Sequence, residues 1–503
     1  MTRKRKSDMT KTLTTLLLVA GVLSGCTLAP RYERPAPPVA GSFPVAPEGY
    51  ATAEVTSGET RRATDIGWRE FFRDPRLQAL IATSLDNNRD LRQAALRIEE
   101  ARATYQVQRA DLLPTVNVEG GYTRARTTPA EAATVLGQPG VTEVYRVGLG
   151  ISSYELDFFG RVRSLSNAAL AQYFATEEAH RSAYISLVSE VAKAYLAERS
   201  FAEQYELARN TLQARESTYG LAKRRFEAGA TSALDLRDNE SLVAQARVAA
   251  AQLARQRAQA QNALEVLVGK PVGTIENLPE PMRLSDERII SDIPAGLPSE
   301  LLEQRPDIRQ AEQQLLSANA NIGAARAAFF PRISLTTSVG TISPTFSGLF
   351  DAGTRAWSFA PQLTLPIFDY GRNLSNLDLA NVRKNIQVAN YEKTIQTAFA
   401  EVADALVARG TLEDQVTGQE QVRDAEAARY ELSRLRFRSG VASYLDELDA
   451  QRQLFTAEQA LIQARQLRLN NAIDLYRALG GGLRADSAVA QQAAPAAQQP
   501  VAQ

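Results

Sequence analysis

Five residues, Asp90-Leu91-Arg92-Gln93-Ala94, return 217 positions later as Asp307-Ile308-Arg309-Gln310-Ala311, and Pro114 returns at the same offset as Pro331. Further on, Phe159-Gly160-Arg161 matches Tyr370-Gly371-Arg372, and Arg225-Phe226 with Gly229 matches Arg436-Phe437 with Gly440, now offset by 211. The six-residue change falls between Pro114 and Gly160, so the first copy carries the longer loop there. Solenoid repeats recur every ~20–50 residues. Copies this long instead describe a duplicated half, and the chain must fold into two pseudo-symmetric versions of one plan.

That plan reads helix, strand pair, very long helix, tip, long helix. Pro114 ends the first helix, and Thr115–Thr123 then alternates with Val116, Val118 and Tyr122 on one face. Tyr145, Val147, Leu149 and Ile151 alternate likewise, as do Ile333, Leu335, Thr337 and Val339, then Trp357, Phe359, Leu363 and Leu365. The connecting loops, 125–142 and 341–355, are rich in Gly, Thr and Pro. Each strand is about ten residues long, which matches a tilted transmembrane β-strand. A soluble sandwich of four such strands leaves its edges bare. A membrane barrel needs about eight strands or more. The barrel is therefore expected to be shared between chains, and strand arithmetic alone does not choose between two and three protomers.

Proline is absent from Arg161 to Lys270 and from Gly371 to Gly482. At 1.5 Å per residue, a helix from Arg161 to residue 228 runs roughly 100 Å and needs lateral partners along its length. In the last helix Leu448, Phe455, Ile462, Leu469 and Tyr476 recur every seven residues, with a second row of Leu454, Leu461 and Leu475 about 100° around. Two seams imply two neighbours, as for a stave in a helical cylinder, whereas an ordinary coiled coil needs one. Small residues such as Ala249-Ala250-Ala251 permit close approach. The six prolines of Pro271–Pro306 mark an irregular strap crossing between the halves.

Composition narrows the chemistry. Lys plus Arg and Asp plus Glu number 57 each, without the basic excess of a nucleic-acid binder. One Cys and one His among 503 residues argue against a disulfide framework, a Cys/His metal centre and His-based catalysis. Gly148-x-Gly150 lies in a strand with no helix directly after it, so it is no nucleotide fingerprint. The expectation is a protein that is not an enzyme, with no cofactor and no metal.

The chain begins with a basic stretch (Arg3, Lys4, Arg5, Lys6, Lys11) and the short apolar run Leu16–Leu23, the pattern of an export signal over residues 1–25. Leu23-Ser24-Gly25-Cys26 resembles a bacterial lipobox, with the chain's only Cys where lipidation requires it. Several acyl chains there would anchor the protein stably. Thr27, where an Asp would signal retention in enteric-type sorting, points to the outer membrane. Residues 26–64 read as a lipidated N-terminus and extended, proline-rich tether. Residues 65–270 form the first repeat, 271–305 the strap and 306–482 the second repeat. Residues 483–503 are rich in Ala, Gln and Pro and read as a disordered tail.

With these features assembled, the chain resembles the TolC-like outer-membrane efflux family over roughly residues 26–482, in its OprM/NodT-like lipoprotein branch. The stretches Arg225–Leu236 and Arg436–Asp449 are similar to the family's periplasmic helical tips, and Cys26–Pro35 to the branch's start after lipidation. The resemblance implies a fold that is mainly α with a membrane β-barrel part. Four strands per protomer would enter a twelve-stranded barrel shared by a homotrimer, above a long α-helical periplasmic tunnel. It also implies an exit duct for small molecules, working with a periplasmic adaptor and an inner-membrane transporter of the resistance-nodulation-division (RND) type. A duct for type I protein secretion and a pore-free periplasmic scaffold are the alternatives; the lipobox weighs against the first and strand alternation against the second.

The resemblance assigns roles at the tips. Arg225, Phe226, Gly229, Ser232 and Leu234, with Arg436, Phe437, Gly440 and Ser443, would meet the adaptor. The glycines suit tight turns, and Ser232 and Ser443 suit helix caps. Leu445, Asp446 and Asp449 would line the periplasmic aperture, with Asp235 and Asp238 repeating the Asp446–Asp449 spacing in the first half. Three converging copies of Asp449 would favour cations.

Overall fold

The computed structural model describes residues 27–43, 62–128, 140–287, 289–290, 293 and 298–486. The export signal, Cys26 and residues 487–503 lie outside the described residues. Helices α1 (Pro75–Asn87) and α2 (Arg89–Ala110) precede strands β1 (Val116–Thr127) and β2 (Gly140–Leu156), then helices α3 (Arg161–Glu227) and α4 (Ala233–Val268). The second copy repeats this as α5 (Pro306–Ala327), β3 (Arg332–Ser343), β4 (Arg355–Thr364), α6 (Arg372–Arg438) and α7 (Tyr444–Ala478). The duplication survives in the lengths: α3 and α6 have 67 residues each, α4 and α7 have 36 and 35. The chain divides into two compact units. One comprises Met1–Ala36, Arg97–Thr176 and Ala311–Tyr391; the other comprises Pro37–Leu96, Glu177–Gln310 and Glu392–Gln503.

The first unit holds one antiparallel sheet in the order β1-β2-β3-β4. β2 is longer than its alternation suggests, at 17 residues, because Ala125, Arg126 and Thr127 extend the ladder to Thr142, Val141 and Gly140. The loop read at 125–142 is correspondingly shorter. Between Ile151 and Tyr154 the β2–β3 register slips, with Ser153 at φ 55° marking a bulge.

Residues 27–43 form neither helix nor strand. Within the segment read as an extended tether, residues 28–34 dock on α5. Asn319 Nδ2 donates to the Pro30 carbonyl at 2.8 Å, Arg326 Nη1 to the Leu28 carbonyl at 3.3 Å, and Arg34 binds both carboxylate oxygens of Glu312 at 2.7 and 2.9 Å.

In the second unit, α7 packs on two sets of neighbours. Phe455 meets a cluster of Ala208, Ala250 and Leu253 on α3 and α4, while Leu461 packs with Val416 of α6 and Ala464. The most buried heptad row is not the large residues picked out by hydrophobicity but Ala450, Ala457 and Ala464. Small side chains permit close packing, and the most buried seam is also the least conspicuous one. At the end of α7, Tyr476 stacks on Phe71 at 3.9 Å and donates to the Ile66 carbonyl. Gly481 lies so near that a Cβ there would fall 2.2 Å from the Tyr476 ring. Beyond it, Trp68 and Arg69 donate their backbone N–H groups to the carbonyls of Arg484 and Ala485. The first residues of the expected tail are therefore docked.

Candidate functional site

Two regions carry functional geometry, and each is described by itself. The sheet aligns apolar residues in rows across all four strands. Val118, Leu149, Val339 and Trp357 are successive ladder partners, and so are Val116, Ile151, Thr337 and Phe359. Val118 and Trp357 are both 78% exposed, so the face they share is unburied in the chain. The alternate face is small and polar: Ser338 and Ser358 hydroxyls lie 2.7 Å apart, and Gly148 pairs with Gly340. β1 and β4 each have one side with no strand partner among the described residues. A sheet apolar on one face and polar on the other, with two open edges, has the composition of part of a membrane barrel wall. No helix among the described residues is long and apolar enough to cross a membrane.

The second region is the pair of helical tips. Gly229 and Gly440, both at φ 72°, end α3 and α6 in the left-handed conformation that glycine adopts without penalty. Ala230 N–H closes onto the Arg225 carbonyl at 2.8 Å and Val441 N–H onto that of Arg436 at 3.0 Å, a six-residue closure repeated 211 positions apart. Ser232 and Ser443 then cap α4 and α7 reciprocally. Asp235 and Asp446 in turn accept hydrogen bonds from the backbone N–H groups of those serines, each at 3.1 Å. Such a cap is worth about 1 kcal/mol.

The expected aperture residues thus divide by environment. Asp235 and Asp446 are engaged as capping residues, and the Ser232 and Thr231 hydroxyls hold the Asp235 carboxyl below its ordinary range. Asp238 is exposed. Asp449 is gripped by Arg429 at 2.7 Å and by Arg452 at 2.6 Å, and its carboxyl is likewise held low, chiefly by Arg429. Leu234 and Leu445 are both 69% exposed, so neither serves packing inside the chain. Arg225, Phe226 and Arg436 are exposed at the helix ends, whereas Phe437 packs on Tyr444 with ring centroids 5.1 Å apart.

Sequence reasoning missed the polar core behind the tips. Tyr444 donates to Asn239 Oδ1 at 2.6 Å, and Asn239 Nδ2 donates to the Asp235 carbonyl at 2.7 Å. Close by, Arg215 is buried and donates to the Leu242 carbonyl at 3.1 Å, and its guanidinium pKa is depressed by burial and by Arg452. Asn239 and Tyr444 follow the capping serines at different distances in the two copies. A search by repeat offset therefore passes over them.

The profile of the outer membrane efflux protein family matches residues 80–270 and 297–481. The chain is 46% identical over 486 residues to the toluene efflux pump outer membrane protein TtgC of Pseudomonas putida, covering 97% of this chain and 99% of that one. It is 47% identical over 468 residues to the outer membrane protein OprJ of Pseudomonas aeruginosa, covering 93% and 95%. The solved open state of the Neisseria gonorrhoeae MtrE outer membrane channel superposes with a TM-score of 0.81 at 43% identity, over 92% of this chain and 99% of that one. Family profile, full-length relatives and fold agree with the sheet and the paired tips, and the chain belongs to the outer membrane efflux protein family.

Proposed function

We propose that this chain is the outer-membrane exit duct of a tripartite, RND-type efflux pump that exports small molecules. The observation that carries the reading is the four-stranded sheet with one unburied apolar face and two open edges, which a single chain cannot close. Three copies would give a twelve-stranded barrel, and the 67-residue helices would line a tunnel across the periplasm. Lipidation of Cys26 adds a second hold on the membrane. The tips around Gly229 and Gly440 would receive a periplasmic adaptor, with Leu445 and Asp449 at the aperture. The relatives' names support efflux as the task, toluene being the cargo named for one of them.

Native mass spectrometry of detergent-extracted protein, paired with single-channel recording in a planar bilayer, tests this. A trimer that conducts is expected. A predominant monomer overturns the shared barrel, and a folded trimer without conductance overturns the duct.

A further inference from the structure

Within the second unit, the crossing segment between the two repeats is fastened to the residues that precede α1. Phe72 and Ile289 form an antiparallel bridge, and Ile290 N–H donates to the Phe71 carbonyl at 3.4 Å. Two residues along each side, that register sets Glu287 opposite Asp74. Both are acids and both are buried, Glu287 at 8% exposure and Asp74 at 1%.

Asp74 is satisfied as an acceptor, taking the Tyr195 hydroxyl at 2.6 Å and the Arg76 backbone N–H at 2.7 Å. Glu287 is not: its Oε1 is buried with no hydrogen-bond donor among the described residues. The other groups facing the pair come from α3. Arg199 donates to the Met282 carbonyl and lies beside Glu198, and Glu203 accepts the Leu284 N–H at 2.7 Å. One guanidinium, already shared, thus stands among four carboxyl groups, Asp74, Glu198, Glu203 and Glu287. Two adjacent buried carboxylates cannot both ionise cheaply, and a proton on one satisfies both, as donor to its neighbour.

We propose that Glu287, protonated against the Asp74 carboxylate, acts as a pH-sensitive latch, fastening the crossing segment to α3 and the start of α1 while it keeps its proton and loosening it in alkaline conditions. The latch is independent of the export reading and involves none of the sheet or tip residues. Burial, then the charge of Asp74, raises the Glu287 carboxyl from 4.5 to about 8. A carboxyl with a raised pKa in the docked state favours docking fully below its released-state value. The advantage falls away as pH rises through about 8.

The test is hydrogen–deuterium exchange on the intact assembled protein in detergent at pH 6 and pH 9, corrected for intrinsic exchange rates. Peptides spanning 282–290 report the Leu284 and Ile290 amides. For wild type, protection should fall between the two pH values by ten- to about a hundredfold, the range that such a shift allows. Glu287→Gln keeps a neutral donor and should abolish the fall. Asp74→Asn retains a good helix cap and should shrink it, which keeps the test sound if either variant folds poorly. Equal protection of wild type at both pH values overturns the latch, as does an undiminished fall in both variants.

Discussion

Tyr444 at the start of α7 donates its hydroxyl to Asn239 of α4 at 2.6 Å, tying together the tips of the two repeats. Asn239 is 3% exposed, so losing this donor leaves a buried amide oxygen unpaired. Burial, and then the charge of Glu447, push the Tyr444 hydroxyl up to about 12, so the bond keeps its proton through neutral pH. Tyr444→Phe preserves the ring against Phe437 and should cost about 1–2 kcal/mol. A double-mutant cycle with Asn239→Ala, read by thermal unfolding, should give a coupling of about 0.5 kcal/mol or more. Additive effects would mean that the contact holds nothing.

At Asp449 the geometry revises the charge expected at the aperture. The carboxylate is already compensated by Arg429 and Arg452, with Arg215 buried nearby. Asp449→Ala should therefore do more than remove a cation-attracting group, because it uncovers two guanidinium groups. Reversal potentials across a salt gradient should shift toward anions by more than they do in Asp238→Ala, whose carboxylate is exposed. Identical potentials in wild type and Asp449→Ala would take this residue out of the ion path. Since the folded carboxyl is held low, its ion pairs persist above the usual carboxylate range and are lost only as pH falls through the depressed value. Wild-type selectivity should accordingly be flat from pH 5 to 8.

Within the sheet, Gly148 and Gly340 are ladder partners across β2 and β3. A Cβ at Gly340 would lie 2.2 Å from the Val147 carbonyl oxygen, a backbone atom that cannot move without breaking the ladder. Gly340→Val should therefore prevent assembly, seen as loss of the heat-modifiable oligomer on gels. Gly120 has open space where its Cβ would go, and Gly120→Ala should assemble normally. If Gly340→Val assembles as well as Gly120→Ala, the close approach is not a constraint.

The parts of this fold that repeat were legible in the sequence. The 211-residue offset locates Gly229 with Gly440 and Ser232 with Ser443, because a left-handed turn and a cap depend on local chemistry that both copies retain. Strand alternation likewise located the row of Val118, Leu149, Val339 and Trp357, since period-two patterning survives without knowledge of partners. What stayed hidden depends on which helix lies beside which. The alanine seam of Ala450, Ala457 and Ala464 carries no hydrophobic signal. Tyr444 and Asn239 lie 205 residues apart, and nothing local in either predicts the bond. The pairing of Asp449 was hidden in the same way, because Arg429 reaches it from the preceding helix.

The docking of residues 28–34 on α5 separates two roles that one N-terminal segment could confuse. On the proposed reading Cys26 would carry the lipid, whereas Arg34 and Glu312 hold the chain that follows it. Cys26→Ser should abolish labelling by a palmitate analogue, reducing it at least tenfold, while the Arg34–Glu312 pair is untouched. Glu312→Ala should have the opposite effect: labelling persists, but the segment loses its clamp. Arg34 is 49% exposed, so solvent screens part of the pair, and its loss should cost about 1 kcal/mol. That corresponds to about fivefold faster tryptic cleavage after Arg31, which lies in the docked segment and is not followed by proline, when cleavage reports the released population. The two readouts, acyl label and cleavage rate, should therefore move independently across the two variants. Labelling of Cys26→Ser at wild-type level would remove the lipobox reading, and unchanged cleavage of Glu312→Ala would show that Asn319 and Arg326 hold the segment without the ion pair.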